Sequence, residues 1–546
     1  MTVKKTQQTL NTTLEKTEQS LNGLETALEN NVGAHPVREG GEVNDGLPEG
    51  WAHSTIKDIN FYRSGNVKPS DFAGELFDLY SVPIFPENRP EKVYGKEIGS
   101  SKQLVETGDV LLCKINPRIN RVWSVGDNTG NRLLASSEWI VVRQSQLSKN
   151  YLIRFFQSSG FRDLLCSDVS GVGGSLTRAR PKIVETYIVP LPPLAEQTVI
   201  AQTLDTLLAQ VENIKTRLDA IPKILKTFRQ SVLAAAVSGK LTEAWRGENQ
   251  CEPVDQLISE CASKILDKKS LKFSDKSFRD DEIKHSLPET WAWVRLAKIS
   301  EVVSGVAKGS KTKEETVQLP YLRVANVQRG YLDLKEVKEI SVPRSKAEKL
   351  ALAKGDILFN EGGDIDKLGR GWIWEDQVEN CIHQNHVFRA RCYSDLIQPK
   401  YISHYGNTEG KEYFLREGTQ SVNLANINKT TLSLLPIPLP PSEEQTEIVR
   451  RVEELFTFAD QIEQQVKNAQ GRVNNLTQSI LAKAFRGELT GQWRAENQDL
   501  ITGDNSAEAL LAKIQEERDA LKKSSKPKTK STAKKTTRKK AAKKPA

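Results

Sequence analysis

The sequence contains few cysteines, no long apolar run and none of the common nucleotide-binding motifs. Its six cysteines among 546 residues show no spacing typical of a disulfide framework, which favours a reducing cytosol. No run of eighteen apolar residues occurs, and the first residues lack the apolar core of a signal peptide. These absences predict a cytoplasmic protein that does not bind a membrane.

Motifs for catalysis are also missing. No GxxxxGK[ST] phosphate loop is present, so nucleotide-driven work by this chain is not expected. One segment invites a zinc hypothesis because it holds two cysteines and two histidines: Cys381, His383, His386 and Cys392. Their spacing fits no common structural zinc pattern, and the residues between them alternate as in a half-buried strand. We therefore predict no catalytic residue, no metal site and no cofactor bound by the chain itself.

The net charge of +8 comes from the end of the chain. Residues 522–546 contain eleven lysines and one arginine without an acidic residue, so subtracting these twelve charges from +8 leaves −4 for the rest. Such a tail cannot bury a core and is predicted to be disordered, serving either as a solubilising segment or as a nonspecific polyanion contact. Specific binding of nucleic acid therefore has to come from the remaining sequence.

The chain consists of two copies of one unit. The phrase GKLTEAWRGENQ at 239–250 returns as GELTGQWRAENQ at 487–498, with eight of twelve residues identical. In the same order, LPEGW at 47–51 returns as LPETW at 287–291, and VPLPPLAEQ returns as IPLPPSEEQ. Much of the sequence between these landmarks differs between the copies. Repeated segments that flank two different variable regions predict two domains of different specificity held by one scaffold.

A long helix is predicted after each variable region. Apolar residues recur in alternating steps of four and three, and the two sets align at a constant offset of 248 residues, as in a coiled-coil seam. The predicted seam residues are Ile200, Leu204, Leu207, Val211, Ile214, Leu218, Leu225, Ile448, Val452, Leu455, Ile462, Val466, Val473 and Leu476. Two matched seams in one chain most simply pair with each other, antiparallel about a pseudo-twofold axis. The alternative is that each helix packs on its own domain.

The variable regions contain short apolar runs of Val, Ile, Tyr and Phe, broken by turn residues and a few helical pieces. The predicted fold class is α+β, with two mostly-β domains joined by two long antiparallel coiled-coil helices in a pseudo-twofold internal repeat. The predicted segments are an N-terminal amphipathic helix (1–46), domain 1 (47–193), helical spacer 1 (194–250), a helical linker (251–286), domain 2 (287–441), helical spacer 2 (442–498), a C-terminal helix (499–524) and the basic tail (525–546).

Basic and amide residues cluster in loop-like segments of both domains. Arg can fork onto guanine and Asn onto adenine, while Lys and Ser contact phosphates. The DNA-binding residues predicted in domain 1 are Lys114, Asn116, Arg118, Asn120, Arg121, Ser175, Arg178, Arg180 and Lys182. Those predicted in domain 2 are Lys308, Lys311, Lys313, Lys367, Arg370, Gln420, Asn423, Asn426, Asn428 and Lys429. For any single residue a solvated loop is the alternative, so the prediction concerns the segments.

The order of these motifs resembles that of the specificity subunits of type I restriction–modification enzymes. The residues that carry the resemblance are the paired LPEGW and LPETW starts, the LPPLAEQ and LPPSEEQ segments, and the GKLTEAWR and GELTGQWR ends. The segments GDVLLCKINPRINR and QNHVFRAR also look like parts of that family's recognition domains. The likeness spans residues 47–524 and leaves the first 46 residues and the lysine tail outside.

The resemblance implies a function and a set of partners. Domains 1 and 2 would be target recognition domains, each reading one half of a bipartite, asymmetric site in double-stranded DNA, and the helices would set the gap. The subunit would not be catalytic. It would join two modification subunits that use S-adenosylmethionine and two restriction subunits that use ATP with Mg.

Two other classes of function remain open at this stage. The chain could be a coiled-coil scaffold whose end domains bind protein, which duplex-binding experiments would distinguish from DNA reading. It could also be a fused restriction–modification enzyme with an unrecognised catalytic domain. Methyl transfer by the purified chain alone would support that reading.

Overall fold

The computed structural model describes most of the chain: residues 3–30, 47–63, 65–127, 130–170, 177–283, 286–307, 314–420 and 424–524. The backbone forms two compact units. Unit I takes its residues from 17–216 and 469–546, and unit II from 1–16 and 217–468. Each unit therefore holds one domain together with pieces of both repeats. Within the segments named here, no helix is both long enough and apolar enough to cross a membrane.

Domain 1 is rich in short strands and follows the N-terminal helix α1 (Val3–Asn30). Its strands are β1 (Ala52–Thr55), β2 (Asn66–Val67), β3 (Leu76–Tyr80), β4 (Glu91–Tyr94), β5 (Lys102–Leu104), β6 (Val110–Cys113), β7 (Val122–Ser124), β8 (Arg132–Ala135), β9 (Trp139–Val142), β10 (Val169–Ser170), β11 (Arg178–Ala179) and β12 (Ile188–Leu191). Its helices are α2 (Ile56–Ile59), α3 (Lys149–Gln157), α4 (Ser159–Ser167) and α5 (Pro181–Val184).

The core of domain 1 lies between two sheets. One has the strand order β2-β5-β8-β3-β4, and the other has the order β7-β6-β9. Both sheets contribute side chains to one buried apolar cluster, in which the ring centroids of Tyr80 and Trp123 are 4.7 Å apart. Burial of these large aromatic surfaces contributes strongly to the stability of this core.

Domain 2 follows helices α6 (Leu194–Val237), α7 (Glu243–Glu248), α8 (Asp255–Ser263) and α9 (Lys268–Ser274). Its strands are β13 (Ala292–Arg295), β14 (Ser300–Ser304), β15 (Thr316–Leu322), β16 (Val327–Gln328), β17 (Tyr331–Leu332), β18 (Lys338–Pro343), β19 (Ile357–Asn360), β20 (Gly362–Asp364), β21 (Gly371–Ile373), β22 (Ile382–His383), β23 (Val387–Cys392), β24 (Thr419–Gln420), β25 (Leu424–Asn426) and β26 (Pro436–Leu439). Its helices are α10 (Leu296–Ile299), α11 (Arg344–Leu350), α12 (Pro399–Asn407), α13 (Glu409–Glu417) and α14 (Lys429–Ser433). The chain continues with α15 (Ser442–Phe485), α16 (Gly491–Glu496) and α17 (Ala507–Ser524).

The two domains have the same pairing of their first and last strands, and one sheet has the same strand order in both. In domain 1 strand β1 pairs antiparallel with β12, which opposes Ala52 to Leu191; in domain 2 β13 pairs with β26, which opposes Ala292 to Leu439. Each chain segment therefore enters and leaves its domain on one two-stranded ribbon. The order β7-β6-β9 of domain 1 also returns in domain 2 as β21-β19-β23, extended by β14.

The long helices pack antiparallel in unit II. Near the end of α6, Arg229 donates to Asp460 of α15 at 2.6 Å and to Glu463 at 3.0 Å. Further along the chain, Thr242 donates to Glu444 at 2.7 Å. Residue numbers thus rise along one helix as they fall along the other, which confirms the predicted antiparallel pairing.

Unit I shows the same direction of pairing between the start of α6 and the end of α15. An open groove of about 420 Å³ is lined by Leu208 and Val211 from α6 and by Val473 and Thr477 from α15. Nearer the start of α6, Glu196 accepts a hydrogen bond from Thr490, which follows α15. The alternative that each helix packs only on its own domain is therefore wrong.

Burial along the helices follows the four-three spacing. The predicted seam residues that are at most 7% exposed are Ile200, Leu204, Val211, Ile214, Leu218, Leu225, Ile448, Val452, Ile462, Val466, Val473 and Leu476. Leu207 and its counterpart Leu455 are only half-buried. Fully burying a large apolar side chain stabilises a fold by about 1.5–3 kcal/mol, so this stripe is a principal source of helix stability.

Helix α1 contributes a further apolar face. Its leucines are buried in both units: Leu10 and Leu14 in unit II, and Leu21, Leu24 and Leu28 in unit I. Within unit I, Arg472 of α15 donates to Glu18 at 2.7 Å and also pairs with Glu25. The amphipathic pattern of the first residues therefore packs against α15.

Candidate nucleic-acid interface

A tight turn carries the first basic segment of domain 1. Strand β6 ends at Cys113, and a 3-10 helix runs from Pro117 to Ile119. The residues on either side, Asn116 and Asn120, both have a φ of 50°. Asparagine tolerates this left-handed conformation better than most residues. Both asparagines are predicted DNA contacts, and in the structure their left-handed backbones form the turn.

The remaining polar groups of this turn differ in exposure. The Oδ1 atoms of Asn116 and Asn120 are buried and have no hydrogen-bond partner among the described residues. Arg118 is exposed, whereas Lys114 and Arg121 are partly exposed. The turn therefore presents cationic side chains to the surroundings, and its asparagine oxygens face the protein.

The fold brings the second basic segment of domain 1 against the first. Ile115 forms an antiparallel bridge with Arg178, and Asn116 N–H donates to the Thr177 carbonyl at 2.8 Å. The predicted site residues Arg178, Arg180 and Lys182 are all exposed. Ser175 lies outside the described residues. Two segments that are far apart in sequence thus form one basic surface.

Acidic side chains accompany the arginines of this surface. Arg178 Nε lies 3.2 Å from Glu138 Oε2, and Arg180 Nη1 lies 3.3 Å from Asp168 Oδ1. All four side chains are at least 28% exposed. Exposed ion pairs contribute little to stability, about 0–1 kcal/mol, so these pairs mainly orient the guanidinium groups.

Domain 2 brings its predicted segments together in a comparable way. Strands β20, β25 and β24 form one small sheet, in which Gly362 opposes Asn426. Asn426 is exposed, whereas the Oδ1 of Asn428 accepts from Thr431 N–H at 2.9 Å and caps α14. Predicted residues that are partly buried are Lys367, Arg370 and Lys429. Gln420 lies in β24, and Lys308, Lys311, Lys313 and Asn423 lie outside the described residues.

Three chain segments cross in the same way in both domains. In domain 1, Lys114 N–H donates to the Glu138 carbonyl at 3.0 Å, and Ala179 N–H donates to the Lys114 carbonyl at 2.8 Å. In domain 2, Glu361 N–H donates to the His386 carbonyl at 2.9 Å, and Ile427 N–H donates to the Glu361 carbonyl at 2.8 Å.

We call these places the strand crossings. The crossing of domain 1 consists of Lys114, Glu138 and Arg178, and that of domain 2 consists of Glu361, His386 and Asn426. The sequence-based set missed Glu138, Glu361 and His386. Aligning the repeats at the offset of 247 or 248 residues would have placed Glu361 opposite Lys114 and His386 opposite Glu138.

The side chains at the two crossings are paired differently. In domain 1 the carboxylate of Glu138 pairs with Arg178. In domain 2 the carboxylate is Glu361, which pairs with the exposed ring of His386. Equivalent backbone positions therefore carry different charges and different hydrogen-bonding groups.

The cysteine–histidine segment of domain 2 does not assemble into a metal centre in the part of the chain that the structure describes, where no group of three potential ligands occurs. The Nδ1 of His383 bonds to the Val387 carbonyl at 2.6 Å, and burial lowers the pKa of this ring to about 4. Burial also raises the pKa of Cys381 to about 12. A neutral imidazole and a protonated thiol inside the core fit packing rather than metal binding.

A second kind of site occurs twice with the same residues. In unit I, the buried Glu196 accepts from Trp51 Nε1 at 2.8 Å and from Thr490 at 2.6 Å, and it pairs with Arg494. Burial raises the pKa of Glu196, and the donors from Thr490 and Arg494 oppose that shift. The carboxylate thus ties the start of domain 1 to the phrase that ends the second repeat.

In unit II, the equivalent carboxylate is Glu444, which is also fully buried. It accepts from Trp291 Nε1 at 2.7 Å and from Thr242 at 2.7 Å, and it pairs with Arg246. We call the two groups the carboxylate clusters. They explain why the phrase GKLTEAWR recurs: each copy closes the unit that contains the other repeat's domain.

The paired domains, the antiparallel helices and the repeated clusters define a class of protein. The sequence profile described as "Type I restriction modification DNA specificity domain" matches residues 48–223 and 288–469. The chain belongs to this family.

Individual relatives match over nearly their whole length. The chain is 38% identical over 492 residues to the type I restriction enzyme EcoKI specificity subunit of Escherichia coli K12, covering 87% of this chain and 97% of that one. It is 35% identical to the StySPI specificity subunit of Salmonella potsdam, covering 86% and 96%. The fold is similar to a crystal structure of the HsdS subunit from Thermoanaerobacter tengcongensis, with a TM-score of 0.51, 18% identity and coverage of 81% and 98%.

A second solved structure shares the fold. It comes from work described as the structural basis of complex assembly and conformational transition of the type I R-M system, with a TM-score of 0.54 and 18% identity over 81% of this chain and 99% of that one. Both structural likenesses establish the fold. The family and the two recognition domains follow from the sequence matches.

Proposed function

We propose that this chain selects the DNA target of a type I restriction–modification complex, with domain 1 reading one half of a bipartite, asymmetric site and domain 2 reading the other. The observation that carries the proposal is the pair of strand crossings. Their backbone hydrogen bonds are nearly equal in length, as in the donor distances of 3.0 Å for Lys114 and 2.9 Å for Glu361. Their side chains differ, which suits two readers of unlike sequences.

The second part of the proposal is based on the lengths of the two long helices. Helices α6 and α15 are each 44 residues long, which corresponds to about 66 Å at 1.5 Å per residue. Elements of fixed length that connect two readers would set a fixed, unread gap between the half-sites. Insertion of seven residues near Leu225 should lengthen this gap and leave both half-sites unchanged.

The chain itself would catalyse neither methylation nor cleavage. Methylation would be performed by two modification subunits that use S-adenosylmethionine, and cleavage by two restriction subunits that use ATP with Mg. Two identical partners suit a scaffold that presents each carboxylate cluster and each helix end twice. The names of the relatives, which are specificity subunits of type I restriction enzymes, support the role in target selection, and the partners with their cofactors are what the family resemblance implies.

The decisive experiment is to map methylated bases in cells that express this chain with its modification subunit. A methylated motif of two unlike half-sites with a fixed gap is expected. Methyl transfer by the purified chain alone would instead support a fused enzyme. Failure of the assembled complex to select any duplex sequence would favour a protein-binding scaffold.

A further inference from the structure

The strand crossings allow a more specific assignment, which rests on the proposed function. We propose that they are the base-reading centres, with Arg178 of domain 1 reading a guanine and Asn426 of domain 2 reading an adenine. Glu138 would orient Arg178. The pair of Glu361 and His386 would lie beside Asn426 and face a base amino group.

The strand pairs that carry the crossings, β6 with β9 and β19 with β23, are alike at one end and different at the other. At the end of the β6–β9 pair opposite Lys114, Asp109 forms a bidentate ion pair with Arg143, at 2.7 and 2.8 Å. The same pair returns in domain 2 as Asp356 with Arg391, at 2.7 Å for both contacts. The ion pair at one end of these strand pairs is thus kept, while the side chains at the crossing end change.

The sign of the charge at equivalent positions of the crossings differs between the two domains. A phosphate contact requires a hydrogen-bond donor or a positive charge, because the DNA backbone is negative everywhere and its oxygens only accept. Position 114 is lysine, whereas the equivalent position 361 is glutamate. A carboxylate near DNA is favourable where it accepts a hydrogen bond from a base amino group, such as cytosine N4. Glu361 therefore fits contact with a base edge and not with a phosphate.

The orientation and accessibility of Arg178 suit contact with a base edge. Arg178 is 44% exposed, and both its Nε and Nη2 face Glu138, at 3.2 and 3.5 Å. A guanidinium that is already aligned loses less entropy on binding, and Arg is the usual bidentate partner of guanine O6 and N7.

Domain 2 places an amide at the equivalent position. Asn426 is exposed, and its Oδ1 lies against the backbone of Gly362. A Cβ at Gly362 would also clash with the Ala425 carbonyl, so glycine permits the close approach of these two strands. Asn is the usual bidentate partner of adenine N6 and N7.

The test uses the complex of this chain with its modification subunit and a library of randomised duplexes. Arg178→Ala is expected to reduce discrimination at one guanine of one half-site by about 5- to 150-fold. Asn426→Ala should have an effect of the same size at one adenine of the other half-site. Arg178→Lys keeps the charge and should preserve most of the affinity while losing the discrimination.

Matched controls lie on the surfaces of the same domains. Arg89→Ala removes an arginine that is 77% exposed, and Lys338→Ala removes a lysine that is 54% exposed. Neither should change the selected motif. Equal loss of affinity for all duplexes in Arg178→Ala would overturn the assignment, as would an unchanged motif or a change in both half-sites. A wild-type complex that selects no split motif would overturn the proposed function as well.

Discussion

The carboxylate clusters and the strand crossings are both repeated in this chain, but in opposite ways. At the clusters, Glu196 and Glu444 meet the same three residue types, with the tryptophan donors at 2.8 and 2.7 Å and the threonine donors at 2.6 and 2.7 Å. At the crossings, the backbone repeats and the side chains change. The repeated side chains are thus kept where the scaffold closes, and they differ at the strand crossings that we propose to be the base-reading centres.

The largest expected effect tests the conserved side of this comparison. Glu444→Ala should lower the free energy of unfolding of unit II by about 3–5 kcal/mol, because it leaves Arg246 and two further donors without their buried acceptor. Glu196→Ala should have an equal effect on unit I. Guanidinium unfolding followed by tryptophan fluorescence measures both. Glu454, which is 62% exposed, provides the control: Glu454→Ala should cost less than about 0.5 kcal/mol.

The second prediction concerns the glycines beside the clusters. Gly239 and Gly487 have φ values of 74° and 72°, and a Cβ would meet Pro288 at 2.8 Å or Pro48 at 2.4 Å. Replacing either by Ala should cost about 2–4 kcal/mol, because left-handed strain adds to overpacking. Gly23→Ala in α1 meets no atom within 4 Å and should stabilise by about 0.5–1 kcal/mol. Thermal unfolding of the three variants distinguishes these signs.

The third prediction is a difference in acid sensitivity between the domains. Burial lowers the pKa values of His383 and His404 in domain 2 from 6.5 to about 4. Between these values the unfolded chain binds more protons than the folded chain, so stability is present at neutral pH and is lost as the pH falls. Each histidine should cost about 2 kcal/mol between pH 7 and pH 5. The histidine of domain 1, His53, is exposed.

A substitution separates this effect from general acid denaturation. The Nε2 of His404 is buried and has no hydrogen-bond partner among the described residues, and the ring packs against Trp372 and Phe456. His404→Phe should therefore flatten the pH dependence of the guanidinium midpoint for domain 2. An unchanged slope would show that His404 does not contribute, and His53→Gln should leave the slope as it is.

The smallest effect concerns a contact that only one unit makes. In unit II, Arg229 is 29% exposed and pairs with Asp460, which is 72% exposed. The equivalent positions in unit I are Thr477 and Glu212, which line the open groove. A double-mutant cycle of Arg229→Ala and Asp460→Ala should give a coupling energy of at most about 1 kcal/mol. A coupling energy well above about 1 kcal/mol would mean that the helix contacts of the two units differ in stability by more than the two carboxylate clusters do.

The long-range architecture could be predicted from the sequence because the sequence contains two copies of one unit. The four-three alternation, repeated at a constant offset, identified the seam, and two matched seams implied antiparallel pairing. The predicted positions Leu207 and Leu455 are half-buried in both copies. A single apolar pattern defines a stripe on a helix and not how deeply each position is covered.

The candidate site was only partly accessible from the sequence. Loop composition identified Arg178 and Asn426, yet it gave no sign that Asn116 and Asn120 adopt a left-handed turn or that Asn428 caps a helix. The acidic partners were missed because a search for basic residues passes over carboxylates. Their role depends on strand pairing between distant segments, such as the bridge from residue 115 to residue 178, which no local pattern encodes.

The most direct test that one scaffold holds two separate recognition domains is to give the chain two copies of domain 2. Strands β1 with β12 and β13 with β26 pair in matching register, so residues 292–439 can replace residues 52–191 on the same ribbon. Methylated bases are then mapped in cells that express this chain with its modification subunit. A split motif made of two copies of one half-site, the one that domain 2 reads in the wild type, is expected. An unchanged asymmetric motif would contradict it.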